Sequence, residues 1–206
     1  MKISYAVCVC NEARELSDLL TFLIEVKRQT DEIVVLRDSG NTSDNVTSVL
    51  KKFSDVRVHD REFKRDFADH KNYLVSVCTG DYIFNIDADE IPQEMLIKVV
   101  EKVIEGPDAP DLVWVPRINI CPGYTQEFLK QHNFACNENG WINWPDYQGR
   151  VYTRNLQWTG KVHEKIEGAK RPQGLKPIPQ TALWHIKSTT KQDSQNSLYL
   201  KIEDAC

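Results

Sequence analysis

No run of this 206-residue sequence approaches the roughly 18 consecutive apolar residues of a membrane-crossing helix. The start, Met1-Lys2-Ile3-Ser4-Tyr5, runs straight into a strand-like segment and lacks the layout of a secretory signal, so a cytoplasmic protein is expected. Paired CxxC spacing is also missing among the six cysteines, Cys8, Cys10, Cys78, Cys121, Cys136 and Cys206. Cys8 and Cys10 would share one face of a strand, too close in sequence for an ordinary disulfide. Most of the six read as reduced, buried small hydrophobes rather than a thiolate metal site. No glycine follows the first apolar run, whose end is Cys10-Asn11-Glu12-Ala13-Arg14, so a glycine-rich triphosphate cradle is excluded there. Internal repeats and low-complexity linkers are absent as well.

What is present fits one globular domain with a sizeable core, given 41% hydrophobic and 27% charged residues. The net charge of −4 is unevenly spread. Arg150 to Lys191 carries nine Lys or Arg against two Glu, so the remainder is strongly acidic. Such a division suits a site that holds a cation with one half and anionic phosphates with the other.

Apolar spacing gives alternating elements. Ile3 to Val9 reads as a buried strand. Glu12 to Arg28 reads as an amphipathic helix through Leu16, Leu19, Leu20, Leu23 and Ile24, with Asn11 as its N-cap. Asp31 to Leu36 is a second strand, followed by the turn-rich Arg37 to Asp44 and a helix through Val46, Val49, Leu50 and Phe53. Val56 to His59 is a third strand, and a helix through Phe67, Leu74 and Val75 stops near Gly80. A helix through Met95, Val99, Val100 and Val103 and a strand from Leu112 to Val115 come later. Arg117 to Tyr147 reads as an irregular, aromatic-rich segment, either a binding loop or a satellite hydrophobic cluster. Gly149 to Arg154 and Trp158 to Ile166 read as strands flanking a turn, Thr181 to Ile186 as a strand, and Thr190 to Glu203 as a weakly patterned helix. Repeated strand–helix units predict an α/β fold with a mostly parallel sheet, whose ligands bind at the carboxyl ends of the strands.

The most informative stretch is Gly80-Asp81-Tyr82-Ile83-Phe84-Asn85-Ile86-Asp87-Ala88-Asp89-Glu90-Ile91-Pro92. A strand-length apolar run delivers three acids in four positions, and Pro92 breaks the pattern. Adjacent carboxylates repel and need a counter-charge; Mg²⁺ or Mn²⁺ is the usual one, and period-2 spacing points Asp87 and Asp89 the same way while the strand lasts. A solvated acidic turn is the alternative. Polar residues end the other strands too: Asn11 and Glu12 after the first, Asp38 after the second.

Taken in order, these residues resemble the family 2 glycosyltransferases with a GT-A fold. The resemblance rests on Asn11-Glu12, on Asp38-Ser39-Gly40-Asn41-Thr42-Ser43-Asp44, on Phe67-Ala68-Asp69-His70-Lys71-Asn72 and on the Asp-Ala-Asp-Glu strand. Trp158, Gly160, Val162-His163-Glu164 and the later His185 complete it. It implies a Rossmann-like, mostly parallel sheet with helices on both faces and a C-terminal acceptor-side β-hairpin region. It also implies a nucleotide-sugar donor, UDP-linked in most relatives, and Mn²⁺ or Mg²⁺ on its diphosphate. Carried over, Asp38 contacts the uracil or ribose region, Asp87 sits near ribose and metal, Asp89 ligates the metal, and His185 completes metal or phosphate binding. Asn11 and Glu12 line the donor site; Lys71, Lys187 and Lys191 are candidates for the diphosphate. Residues 1–106 form the sugar-nucleotide half and 107–206 the acceptor half of a single domain. Arg37 before Asp38, and Lys71 where many relatives carry Arg, depart from the family pattern. The chain's length predicts single-sugar transfer rather than processive polymer synthesis.

Glycosyl transfer needs stabilisation of the leaving diphosphate and a base for the acceptor hydroxyl. An inverting enzyme uses one such base and no covalent intermediate. Glu164 is the expected base, with His163 as orienter or rival; a surface His-Glu pair on a hairpin is the alternative. Acceptors left open are a glycan, a peptide side chain, a lipid carrier or a hydroxymethylated DNA base. Two other classes stay in view, a sugar-nucleotide nucleotidyltransferase and an inactive nucleotide-sugar-binding module. The glycine-free turn at Cys10 to Arg14 weighs against the first, and the joint presence of Asp87, Asp89 and Glu164 against the second.

Overall fold

In the computed structural model, which describes residues 1–204, a nine-stranded sheet forms the centre of an α/β fold. Its first half is built from β1 (Ile3–Val9), α1 (Ala13–Val26), β2 (Glu32–Asp38), α2 (Asp44–Leu50), β3 (Val56–Arg61), α3 (Phe67–Val77) and β4 (Tyr82–Asp87). The strands β3, β2, β1 and β4 lie side by side and parallel. Each is joined to the next by a crossover helix, the connection a parallel pair requires.

Alternation along the strands sorts the core into two faces. Tyr5, Val7, Ile33, Val35 and Phe84 meet Leu16, Leu19, Leu20 and Leu23 of α1 on one face. Ala6, Val34, Leu36 and Ile83 meet Leu74 and Val75 of α3 on the other. Because both faces of β1, β2 and β4 are covered, these strands read as near-continuous apolar runs, which made them legible, whereas β3 at the sheet edge is mostly exposed.

The second half adds β5 (Glu90–Pro92), α4 (Glu94–Ile104), β6 (Leu112–Ile120), α5 (Gln126–Gln131), β7 (Ile142–Thr153), β8 (Gln157–Thr159), β9 (Lys165–Glu167), β10 (Pro172–Gly174), β11 (Leu183–Ile186) and α6 (Thr189–Glu203). The long β7 runs antiparallel to both β4 and β6 and joins the two halves into one sheet. β11 continues it parallel to β6, β5 pairs antiparallel with β11, and β10 pairs with β6. β8 and β9 form a separate two-stranded hairpin.

Several expectations are corrected. Glu12, not Asn11, is the N-cap of α1, and its carboxylate bends back to accept from the Cys10 and Asn11 amides. Pro92 does not break a strand but ends β5, opposite Leu183. The segment from Arg117 to Tyr147 is largely ordered: it holds the end of β6, α5 and the start of β7. Its aromatics Tyr124, Phe128 and Phe134 pack on buried Cys121, Leu129 and Ile142, the satellite cluster of the two readings. The pair of strands expected at 149–154 and 158–166 is split: the former belongs to the main sheet, and the turn at 160–164 connects β8 to β9 instead. Thr181 lies in a short 3-10 turn before β11. Cys78 and Cys121 are buried free thiols; Cys8, Cys10 and Cys136 are free and half-buried, and Cys206 lies outside the described residues. No described helix is long and apolar enough to cross a membrane.

Candidate active site

The carboxyl ends of β1, β2 and β4 open into one cavity of about 1290 Å³, closed on the far side by β6, β11, the β8–β9 turn and α6. All eleven residues singled out from sequence line it: Asn11, Glu12, Asp38, Lys71, Asp87, Asp89, His163, Glu164, His185, Lys187 and Lys191. The parallel sheet puts the first group there, and the crossing β7 brings the second half of the chain over it.

At one end, Asp38 finishes β2 and is 5% exposed. Its Oδ1 accepts from the Gly40 and Phe63 amides, each at 3.0 Å, and its Oδ2 from Asn41 Nδ2 at 2.9 Å and the Cys10 thiol at 3.7 Å. Burial opposes the charge, yet these donors hold the carboxyl below its usual range. A carboxylate has about four acceptor positions, so Asp38 organises its own loop with all of them.

At the centre, β4 stops at Asp87 and a tight turn redirects Asp89, so the two acids have separate partners rather than a common face. Asp87 Oδ2 accepts from Arg150 Nη2 at 2.6 Å, and its Oδ1 lies 3.8 Å from the Lys71 ammonium. The same Arg150 nitrogen reaches Glu90 Oε1 at 2.6 Å, and Arg117 Nη1 reaches that oxygen at 2.9 Å. Asp89 Oδ2 is 3.4 Å from His185 Nε2 and 3.0 Å from the Lys191 ammonium, which also faces Glu12 at 3.3 Å. Desolvation pushes both Asp87 and Asp89 upward, but Arg150 and Lys71 outweigh it for the first and His185 and Lys191 for the second. Both titrate well below the ordinary carboxylate range. The counter-charge that the acidic run demanded is therefore supplied in this structure by arginine and lysine.

The residues also bear on a divalent cation. Asn119 donates through Nδ2 to Asp146 Oδ2 at 2.8 Å, which leaves its Oδ1 as the acceptor facing His185 Nδ1 at 2.9 Å. His185 is thus protonated on Nδ1, and its Nε2 faces Asp89, the arrangement in which outer contacts orient a metal-ligating histidine. Among the described residues no group of three His, Cys, Asp or Glu could hold a metal ion. Asp89 and His185 fit a cation that arrives with a diphosphate supplying further oxygens, not a preformed metal centre.

At the other end of the cavity, Glu164 sits at the β8–β9 turn. Lys71 donates to its Oε1 at 2.6 Å, and the same ammonium lies 4.3 Å over the Trp158 ring. The lysine assigned to the diphosphate is thereby held between Asp87 and Glu164. His163 is more exposed, adopts a left-handed backbone (φ 51°) and meets Tyr199 edge-on at 5.2 Å. Lys187 is buried and donates to Gln195 of α6; burial pushes its ammonium below the usual lysine range.

The sequence reading missed Arg150, Arg117, Asn119 and Asp146. Arg150 carried a signal: a cation inside the strand run Gly149-Arg150-Val151-Tyr152, only 3% exposed, must be paired.

The fold and cavity define a GT-A-type sheet with acids at its strand ends. Residues 4–167 match the sequence profile of Glycosyl transferase family 2, and the chain belongs to that family. It is 33% identical over 89 residues to the SPbeta prophage-derived glycosyltransferase SunS of Bacillus subtilis (strain 168), covering 43% of this chain and 20% of that protein. It is 28% identical over 109 residues to the glycosyltransferase GlyG of Streptococcus pneumoniae serotype 4 (strain ATCC BAA-334 / TIGR4), covering 52% and 36%. The matches thus span a fifth to about a third of these relatives. Among solved structures, S. aureus TarS 1-349 in complex with UDP superposes with a TM-score of 0.63 at 15% identity, covering 96% of this chain and 64% of TarS 1-349. Mannosyltransferase PcManGT from Pyrobaculum calidifontis, in complex with GDP-Man and Mn²⁺, does so with 0.54 at 14% identity, covering 89% and 56%.

Proposed function

We propose that this chain is an inverting glycosyltransferase that moves one sugar from a UDP-linked donor to an acceptor hydroxyl, with Glu164 as the base. The observation that carries the reading is the single cavity in which donor-side acids and an acceptor-side carboxylate face each other across Lys71. TarS was solved with UDP and with UDP-GlcNAc, which favours uridine as the nucleoside. Residues 1–106 supply the donor-side strand ends and Lys71, and 107–206 supply the acceptor side together with Arg150, His185 and Lys191, which lean onto Asp87 and Asp89.

In this scheme Asp89 and His185 hold Mn²⁺ or Mg²⁺, which, when bound, neutralises charge on the leaving diphosphate. Lys191 and Lys187, on the same wall, add positive charge where negative charge grows. Arg150 keeps Asp87 ionised and fixed. Glu164 accepts the proton of the acceptor hydroxyl as the new bond forms and the diphosphate departs. Lys71 orients Glu164 until the acceptor is in place. His163, more exposed beside Glu164, contacts the acceptor.

A screen of UDP-sugars for slow donor hydrolysis identifies the sugar, and sugar and peptide acceptors are then added to that donor. Glu164→Gln is expected to lower transfer by about 10²–10⁴-fold, with UDP binding retained. An unchanged transfer rate moves the base elsewhere.

A further inference from the structure

The cavity wall beside the β8–β9 hairpin carries a flat apolar ring that the transfer scheme does not use. Trp114, on β6, is 37% exposed and lines the cavity with Gln148 and Gly149 of β7 and Lys165 and Ile166 of β9. A β-bulge sets it there. Val113 pairs with Val151 but Trp114 pairs with Gly149, which leaves Arg150 as the extra residue. Bulges re-aim side chains and concentrate beside active sites. Here Arg150 reaches Asp87 at 2.6 Å, and the indole sits against the neighbouring residue of the same strand.

Gly149 shows what surrounds the ring. A Cβ added to it would touch Leu112 at 3.4 Å, Ile166 at 3.5 Å and the indole at 3.6 Å. The indole therefore lies beside Ile166, which follows Glu164 on the same hairpin. Polar groups accompany this apolar surface. Gln148 donates its amide nitrogen to Asp146 Oδ1 at 2.8 Å, so its carbonyl oxygen remains an acceptor. Lys165, next to Ile166, is exposed and brings an ammonium donor. A lone exposed tryptophan on an outer surface needs no explanation. One inside the reaction cavity, among hydrogen-bonding groups, has the make-up of a ligand wall. An acyl chain has nothing to offer Gln148 and Lys165, and a seryl side chain has no face to lay on an indole. A pyranose has both, an apolar face of C–H groups and a rim of hydroxyls that donate and accept.

We propose that Trp114 is the platform on which a sugar ring of the acceptor stacks, with Gln148 and Lys165 on its hydroxyls, so that the acceptor of this transferase is a carbohydrate. The assignment rests on the glycosyl-transfer reading above and narrows its acceptor.

Saturation-transfer NMR tests it, with a panel of methyl hexopyranosides as probes on the protein loaded with UDP and Mn²⁺; UDP binding is followed separately by calorimetry. At least one glycoside is expected to take up saturation, most strongly on the C–H groups of one ring face. Trp114→Ala is expected to weaken that glycoside's binding by about tenfold and to leave UDP binding unchanged. Trp114→Phe, which keeps a smaller ring, recovers part of the loss. Trp114→Leu, bulky but without a flat face, behaves as the alanine variant and serves as the reading if that variant does not fold. Absence of glycoside binding to the UDP-loaded protein overturns the proposal, as does binding equal to that of the unaltered protein in the alanine or leucine variant. Transfer to a seryl peptide or to hydroxymethylated duplex DNA, with no glycoside accepted, overturns it in favour of that acceptor. Equal losses of glycoside and UDP binding overturn it too, because they indicate a residue that only holds the fold. If the unaltered protein does not bind UDP, the donor reading itself fails and takes this one with it.

Discussion

Arg150 shows how the acidic strand end is kept together. Its guanidinium is buried against Asp87 and Glu90 at 2.6 Å from each, and the other cations facing them among the described residues lie further off: Lys71 is 3.8 Å from Asp87 and Arg117 is 2.9 Å from Glu90. Removing one partner of a buried pair leaves the other charge uncompensated. Arg150→Met is therefore expected to lower stability by about 3–5 kcal/mol, read as a fall in the urea midpoint at neutral pH. An unchanged midpoint would show that solvent or Lys71 suffices for Asp87. The same residue explains what was legible in the sequence. Asp87 and Asp89 stood out because three acids after an apolar strand are unusual, and the need for a counter-charge was inferred correctly. The cations that also face these acids, Arg150 and Lys191, were not paired with them, because they lie some sixty and one hundred positions away in the chain, and nothing local in the sequence links them to the acids.

At the level of elements, the β8–β9 hairpin is what brings Glu164 into the cavity. Asn72 of α3 fastens it, donating to the Trp158 carbonyl and accepting from the Trp158 amide, both at 2.9 Å. This mimics a strand pairing between a helix side chain and the edge of β8. Asn72→Leu is expected to free the hairpin: transfer activity falls sharply, while UDP affinity, set by the strand ends, changes little. A variant with normal transfer would show that packing of Trp158 under Lys71 is enough. The sequence reading found the hairpin residues but misplaced the pairing. β7 is a long strand with β-bulges that belongs to the main sheet, and Gly149 within it reads as a strand boundary. The strands β1, β2 and β4 were read within a few residues at each boundary because both of their faces are buried. The stretch from Arg117 to Tyr147 looked irregular because its strands expose one face, and its glycines and prolines sit among them.

At the scale of the whole molecule, depressed carboxyl groups link stability to pH. Glu32, at the start of β2, is desolvated but accepts from Ser4, from the Thr79 amide and hydroxyl, and from Arg57, which together lower its pKa from 4.5 to about 2. Asp38, Asp87, Asp89 and Asp146 are shifted the same way. A group whose folded pKa lies below its unfolded one stabilises the fold above the unfolded pKa, and that contribution is lost as pH falls through the folded value. For Glu32 the window runs from 4.5 down to about 2. The urea midpoint is expected to hold steady through neutral pH and drop across that window, with a shallower drop in Glu32→Gln. A midpoint flat down to pH 3 would contradict the ion-pair account.

The charge division that first drew attention serves the cavity: acids from the parallel half meet cations from the β7, β11 and α6 half. The central claim is that this meeting place binds a nucleoside diphosphate with a cation through Asp89. Calorimetry of UDP with and without Mn²⁺, in the unaltered protein and in Asp89→Ala, tests it most directly. UDP binding strengthened by Mn²⁺ in the unaltered protein, with that gain lost in Asp89→Ala, is the predicted result. UDP binding indifferent to Mn²⁺ in both proteins would contradict the metal role of Asp89, and no UDP binding under either condition would contradict the claim as a whole.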